Sequence, residues 1–289
     1  MIVEYISNSL WLAVSLTIIF SLMIGSFLNV VIYRLPIIME REWSEQIADF
    51  SGNSSTQPST DKFNLCVPAS TCPGCRHKIR WFENIPVISY LLLRGACSSC
   101  KTRISIRYPL VELITGLLSG YIVYSFGFHY LSFALILLTW CLICLTLIDI
   151  DHQLLPDKIT LPLIWLGLIF NSFEYFTTLP QALWGAILGY LSLWSIYWIF
   201  KLLTGKEGMG YGDFKLLAAL GAWAGASMLP LIILLSSLVG AIIGISMILI
   251  KRHDSQNPIP FGPYLACAGW IAMLWGHDIT GYYLHFLQV

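Results

Sequence analysis

Apolar runs near the ~20 residues that a helix needs to cross a bilayer recur almost from end to end of this chain, and they decide most of what it can fold into. Eight such runs can be drawn, over 9–33, 109–126, 129–149, 158–173, 181–203, 214–229, 231–250 and 262–286, the fourth and sixth being short. Backbone amides in hydrocarbon must be satisfied within their own segment, so continuous runs of this length predict helices. The chain is 57% hydrophobic and 11% charged, with mean hydropathy +0.73, well away from a soluble globular domain. Its start, Met1-Ile2-Val3-Glu4, has no basic segment and the first run has no small-residue cleavage site after it, so no cleavable signal peptide is expected.

Net charge is zero, but the cations are segregated. Ten of the sixteen Lys and Arg fall between Arg34 and Arg107; the others are Lys158, Lys201, Lys206, Lys215, Lys251 and Arg252. With eight spans all sixteen lie on one side, while the connections near 127, 177 and 230 and both termini carry none. The positive-inside rule puts that side in the cytoplasm and both termini in the periplasm. The expected fold is therefore an all-α polytopic membrane protein of about eight transmembrane helices with a small cytoplasmic insert. Residues 1–33 form the first transmembrane helix, 34–108 the insert, and 109–289 a seven-helix membrane core.

Within the insert, the stretch from Ser51 to Thr60 is rich in Ser and Thr and reads as a loop. Two knuckles follow, Cys72-Pro73-Gly74-Cys75 and Cys97-Ser98-Ser99-Cys100. Four thiolates so spaced can close a tetrahedral zinc site and staple a domain with little core of its own, zinc-ribbon fashion. A redox dithiol is the alternative, and a reducing cytoplasm argues against structural disulfides. Cys141-Leu142-Ile143-Cys144 has the same spacing but lies inside an apolar run, where two small buried residues on one helical face are expected. Cys66 is a minor rival ligand, and Cys267 has no partner by spacing. Between the knuckles, Trp81-Phe82-Glu83-Asn84-Ile85-Pro86-Val87-Ile88-Ser89-Tyr90 reads either as the ribbon's hydrophobic filling or as a surface for cofactor or substrate lying against the bilayer.

Carboxylates at the edge of hydrocarbon cost a few kcal/mol or more and usually mark a site. Asp149 closes the third run in Leu147-Ile148-Asp149-Ile150-Asp151-His152, and Asp213 opens the sixth in Gly208-Met209-Gly210-Tyr211-Gly212-Asp213-Phe214-Lys215. Asp151 lies about 200° round the helix from Asp149 and is expected as a solvated loop charge. Asp157, after Pro156, is expected as a helix N-cap, and Lys215 is expected to snorkel. The glycines at 208, 210 and 212 are expected to supply backbone conformations closed to other residues. Both acidic connections face the same side, so Asp149 and Asp213 can meet as a pair sharing one proton, one acid and one base. No HExxH, GxSxG, Walker A or dinucleotide fingerprint is present, and the insert's mixed charges give nucleic-acid binding no support.

These residues together resemble the bacterial type IV prepilin peptidases, bifunctional leader peptidases and N-methyltransferases. The resemblance runs through Gly25-Ser26-Phe27-Leu28-Asn29, both CxxC knuckles, Asn84-Ile85-Pro86, Arg94-Gly95, Arg107-Tyr108-Pro109-Leu110-Val111-Glu112, both acidic motifs and Pro260-Phe261-Gly262-Pro263-Tyr264. It implies that Asp149 and Asp213 are the catalytic pair and that the substrates are prepilins and the pseudopilins of type II secretion. It also implies cleavage after a leader-terminal glycine, methylation of the new amine from S-adenosylmethionine with Gly95 tied to that step, and residence in the inner membrane. Structural zinc on Cys72, Cys75, Cys97 and Cys100 fits the same picture. A proton- or cation-coupled transporter, a peptidase without methylation and a non-enzymatic membrane scaffold are the rival readings. Both acids lie toward one face, with no internal repeat, which argues against the first. The retained knuckles argue against the second, and the acidic motifs stay unexplained by the third.

Overall fold

The computed structural model describes residues 9–50, 63–251 and 260–287. The Ser/Thr-rich 51–60 stretch and both chain ends lie outside the described residues. Among those residues the α-helices are α1 Leu10–Phe50, α2 Ile88–Leu92, α3 Arg107–Phe126, α4 Tyr130–His152, α5 Asp157–Ser172, α6 Leu179–Thr204, α7 Tyr211–Ala224, α8 Leu229–Lys251 and α9 Gly262–Leu287. All but α2 overlie the eight apolar runs one for one. Five stretches are long and apolar enough to cross a membrane: α1, α3, α4, α6 and Ala226–Ser246, which opens with a 3-10 turn and continues as α8. α5 and α7 have 16 and 14 residues, shorter than a span needs.

The first helix does not stop near Tyr33. It runs through Pro36 to Phe50, so the insert begins as a helical extension of the first span. Proline removes one hydrogen bond and need not end a helix whose flanks carry it. Here Glu40-Arg41-Glu42 and Glu45-Gln46-Ile47-Ala48 supply good helix formers beyond it.

The chain divides into two compact units, Met1–Trp140 and Cys141–Val289, with the division inside α4. In the first unit α1 packs along α3. The approach is close because glycines line it: a Cβ on Gly25 would lie 2.7 Å from the Glu112 Cα, and one on Gly116 would lie 3.0 Å from the Leu22 side chain. The buried Arg34 crosses to the insert, its guanidinium donating to the carbonyls of Asn64 at 2.9 Å and Pro68 at 2.7 Å.

In the second unit α7 is the central element, packed against α5, α6 and α9. Phe214 and every residue from Leu216 to Trp223 are buried, which explains how so short a helix persists in an apolar setting. Gly185 of α6 and Gly221 of α7 meet backbone to backbone, and a Cβ on Gly189 would lie 2.7 Å from the Leu217 carbonyl oxygen. Small residues one turn apart let helices approach this closely in membranes. At its far end, the Asn171 amide donates to the carbonyls of Ala222 at 2.8 Å and Trp223 at 3.0 Å, satisfying acceptors that a helix C-terminus leaves open.

Candidate active site and metal centre

α4 carries its helical geometry past Asp149 to His152, so the 200° separation holds: Asp149 is only 5% exposed while Asp151 is exposed. Asp151 is thus a helical residue rather than a loop charge. The Asp149 carboxylate is held from across the second unit. Its Oδ2 accepts the Gly262 N–H at 3.0 Å, and a Cβ at residue 262 would lie 2.6 Å from that oxygen. Glycine is required there by proximity.

Asp213 stands in the first turn of α7, three residues after the N-cap Gly210, whose carbonyl accepts the Asp213 N–H at 3.2 Å. It too is buried. The two carboxylates are close enough for their charges to act on each other, though no direct hydrogen bond joins them among the described residues. Gly208, Gly210 and Gly212 do not adopt left-handed backbone; the one such glycine in this connection is Gly205, with φ 70°. Gly212 serves packing instead, because a Cβ there would meet the Leu155 side chain at 2.7 Å.

The surroundings of the pair contain residues that sequence reading placed differently or missed. Pro156 occupies the N-cap position of α5. Asp157 is the first helical residue, and both its oxygens accept from Lys215 Nζ at 2.7 Å, an ion pair linking α5 to α7. Lys215 therefore reaches a partner rather than snorkelling alone. The connection before Asp213 is tied by Lys201, which donates to Glu207 Oε1 at 2.8 Å and to the Tyr197 hydroxyl at 3.2 Å. The rings of Tyr197, Tyr211 and Phe214 pack with centroids 5.2–5.6 Å apart. Of these, only the 201–207 cation–acid spacing left a trace in the sequence.

An open, apolar groove of about 1040 Å³ runs between α6 and α8, lined by Leu188, Leu191, Ser195, Leu234 and Leu238 among others. A second cavity of about 350 Å³ shares Ile233 and Ser237 with it and reaches Met209 and Phe261. Met209 lies four residues before Asp213, and Phe261 precedes the glycine that binds Asp149.

In the first unit, the thiols of Cys72, Cys75, Cys97 and Cys100 all lie within 4.8 Å of one another. The two knuckles are near-copies. Cys72 N–H donates to the His77 carbonyl and Cys97 N–H to the Thr102 carbonyl, both at 2.9 Å. Each knuckle ends in a basic residue with left-handed backbone, Arg76 at φ 56° and Lys101 at φ 59°. A tetrahedron of 2.3 Å zinc–sulfur bonds has sulfurs about 3.8 Å apart; Cys72 and Cys100 Sγ are 3.7 Å apart. The donor set and spacing fit zinc. Hydrogen bonds from the Thr102 hydroxyl and amide and from Cys75 lower the Cys100 thiol to about 6. Cys75 rises to about 11: the His77 backbone pulls it down, but burial and the three neighbouring thiols push it up. Cys66 is outside the cluster, and Cys144, in the apolar CxxC, is buried.

Glu83 fastens the knuckles together. Its carboxylate accepts the Arg80 N–H at 2.9 Å, approaches His77 Nε2 at 3.2 Å and takes a further bond from Ser98, which together hold it down to about 2. Gly95 has φ 67°, and a Cβ there would lie 2.9 Å from the Tyr90 ring. The Trp81–Tyr90 segment is not the filling of a ribbon, for Trp81, Ile88, Leu91 and Leu92 are exposed.

A family model described as the bacterial peptidase A24 N-terminal domain matches residues 19–126, and one described as the type IV leader peptidase family matches 136–245. A prepilin leader peptidase/N-methyltransferase of Stutzerimonas stutzeri is 57% identical over 287 residues, covering 99% of each chain. One of Pseudomonas aeruginosa is 57% identical over 285 residues, 99% of this chain and 98% of its own. One of Aeromonas salmonicida is 58% identical over 275 residues, 95% and 94% respectively. No solved structure matches this chain.

Proposed function

The chain belongs to the type IV leader peptidase family, and from that premise we propose that Asp149 and Asp213 cut prepilin and pseudopilin leaders at the cytoplasmic face of the inner membrane, after which the new N-terminus is methylated. The observation that carries this reading is the burial of both carboxylates within reach of each other's charge, one in the last turn of α4 and the other in the first turn of α7. Two such groups cannot both ionise cheaply, so the pair retains one proton. The ionised member takes a proton from water, which attacks the scissile carbonyl. The protonated member donates to the carbonyl oxygen, and proton return to the amine releases the leader. The N–H of Gly262 holds one carboxylate in place throughout.

The groove between α6 and α8 suits the apolar segment that follows the scissile bond, since its walls are apolar and it leads toward Met209 and Phe261. S-adenosylmethionine is the methyl donor, and zinc on the four cysteines holds the insert's shape. Gly95 acts in methyl transfer as a positioning residue, because its left-handed backbone sets Tyr90 against the second knuckle.

Purified protein with a prepilin substrate tests the reading. Asp149→Asn and Asp213→Asn are each expected to lower cleavage by about 10²–10⁴-fold or more, while Asp151→Asn still cleaves. Cleavage surviving either of the first two changes sinks the dyad. A one-methyl mass gain on the product that depends on added S-adenosylmethionine checks the second activity.

A further inference from the structure

The insert exposes an apolar surface for which the cleavage chemistry has no use. Trp81 is 82% exposed, Leu92 79% and Ile106 71%, with Ile88 and Leu91 beside them. Ile88, Leu91 and Leu92, spaced i, i+3 and i+4, share one face of α2, and large exposed apolar side chains of this kind in water would mark an interaction site or an aggregation liability. The surface is also fixed in depth. The Val87 N–H donates to Glu112 Oε2 at 2.8 Å, and Glu112 lies five residues into α3, about 7.5 Å down the helix from Arg107. α2 begins at the next residue, Ile88, so it is held level with the second turn of a span. Ile106 immediately precedes that same span.

Charge gives the second half of the pattern. Residues 63–107 contain seven Lys and Arg and a single acid, Glu83, and that acid is consumed internally by Arg80, His77 and Ser98. Arg76, Lys78, Arg80, Arg94, Lys101 and Arg103 are all exposed. An apolar face with a basic border at the depth of a helix's first turns is the arrangement that lies in a bilayer interface and favours anionic headgroups.

We infer that α2 and the flanking Trp81 and Ile106 dip into the lipid interface, with the basic border on anionic headgroups, so that the zinc module is pinned to the membrane surface rather than suspended on tethers. The occupant is lipid: the module's C-terminal end continues directly into α3, and the Val87–Glu112 bond leaves α2 at lipid depth. A peptide substrate or a second copy of the chain would bring its own surface and would not require the basic excess.

The full chain, zinc-loaded and reconstituted in vesicles, tests this with an environment-sensitive fluorescent amino acid at Leu92, at Ile106 in a second protein, and at Ser99 on a knuckle tip. Lipids brominated in the acyl chains should quench the Leu92 and Ile106 probes strongly, and aqueous iodide should quench them several-fold less than the Ser99 probe. Replacing anionic by zwitterionic lipid, or raising salt, should move both probes toward the aqueous value. Iodide quenching equal to that of Ser99 would overturn the proposal. Shielding from both quenchers would also overturn it, because it would mean that protein covers the surface. Indifference to headgroup charge would refute the role of the basic border.

Discussion

Replacing Gly262 by alanine isolates what positions Asp149 in the proposed dyad. The added Cβ would lie 2.6 Å from Asp149 Oδ2 and 3.1 Å from its Cγ, with the Leu155 Cδ1 at 3.3 Å. Carbon and oxygen do not approach to 2.6 Å, and the softest element is the carboxylate, which can rotate away. Rotation breaks the 3.0 Å bond from the Gly262 N–H. A hydrogen bond to a charged group is worth about 1.5–3 kcal/mol, and at about 1.4 kcal/mol per decade that is roughly a 10- to 150-fold fall in kcat. KM should hardly move, since the change lies at the acid and not along the groove. Gly281→Ala is the control, because a Cβ there meets nothing within 4 Å. The assay is steady-state cleavage of a prepilin in detergent, alongside thermal unfolding of both variants. A Gly262→Ala enzyme with wild-type kcat would show that this bond does not position the catalytic carboxylate. A variant whose kcat falls only in step with its folded fraction would refute the argument equally.

Four further outcomes follow from the same geometry. Asn171→Ala leaves two α7 carbonyls and the part-buried amides of Phe176 and Thr177 without their partner; thermal or denaturant unfolding should report a loss of about 2–6 kcal/mol, counting the two buried carbonyls at ~1–3 kcal/mol each. Lys215→Ala breaks an ion pair whose Asp157 side chain is 51% exposed, so the same measurement should register no more than about 1 kcal/mol, and a larger loss would mean the pair holds the dyad together. With the four thiols free of metal, Cys100, lowered by its bonds from Thr102, should ionise well before Cys75, which its neighbouring thiols push up. Alkylation followed by mass spectrometry should therefore mark Cys100 first, with the preference fading below pH 6 as that thiol protonates. Ser237→Trp projects an indole into the shared wall of both cavities; it should raise KM for a membrane-embedded prepilin, and an unchanged KM would remove the groove from the substrate path.

Hydropathy and charge located the helices because both report on the bilayer, which acts on each segment alone. The eight apolar runs became eight helices for that reason, and Asp149 and Asp151 parted company because helix rotation is a local property. What failed were individual side-chain and glycine roles set by a neighbour distant in sequence, although the four cysteines did come together as their spacing implied. Asp157 read as an N-cap because its own context offers a free helix start; Lys215, fifty-eight residues away, claims it instead. The glycines at 208–212 read as conformational, yet Gly212 is needed because of Leu155. One missed signal was legible. Gly116–Gly120 and Gly185–Gly189 both have the spacing of close helix packing, and those pairs mark where α3 meets α1 and where α6 meets α7.

That packing bears on why two buried acids can stand near each other without a bond between them. Asp213 is fixed from three directions: Gly185 and Gly189 clamp the middle of α7, Asn171 ties its C-terminus, and Lys201 with Glu207 ties the connection before its N-terminus. Asp149 is fixed by Gly262. Each carboxylate is thus anchored by its own contacts, and no hydrogen bond joins the two among the described residues. In the proposed mechanism the attacking water accepts from one acid and donates to the other, which two independently anchored carboxylates allow. Loosening either anchor should then let the acids bond to each other. Gly189→Leu, which forces α6 from α7, should lower kcat even where the protein stays folded. Full activity in a folded Gly189→Leu protein would show that the rigid separation of the acids is not what the helix packing secures.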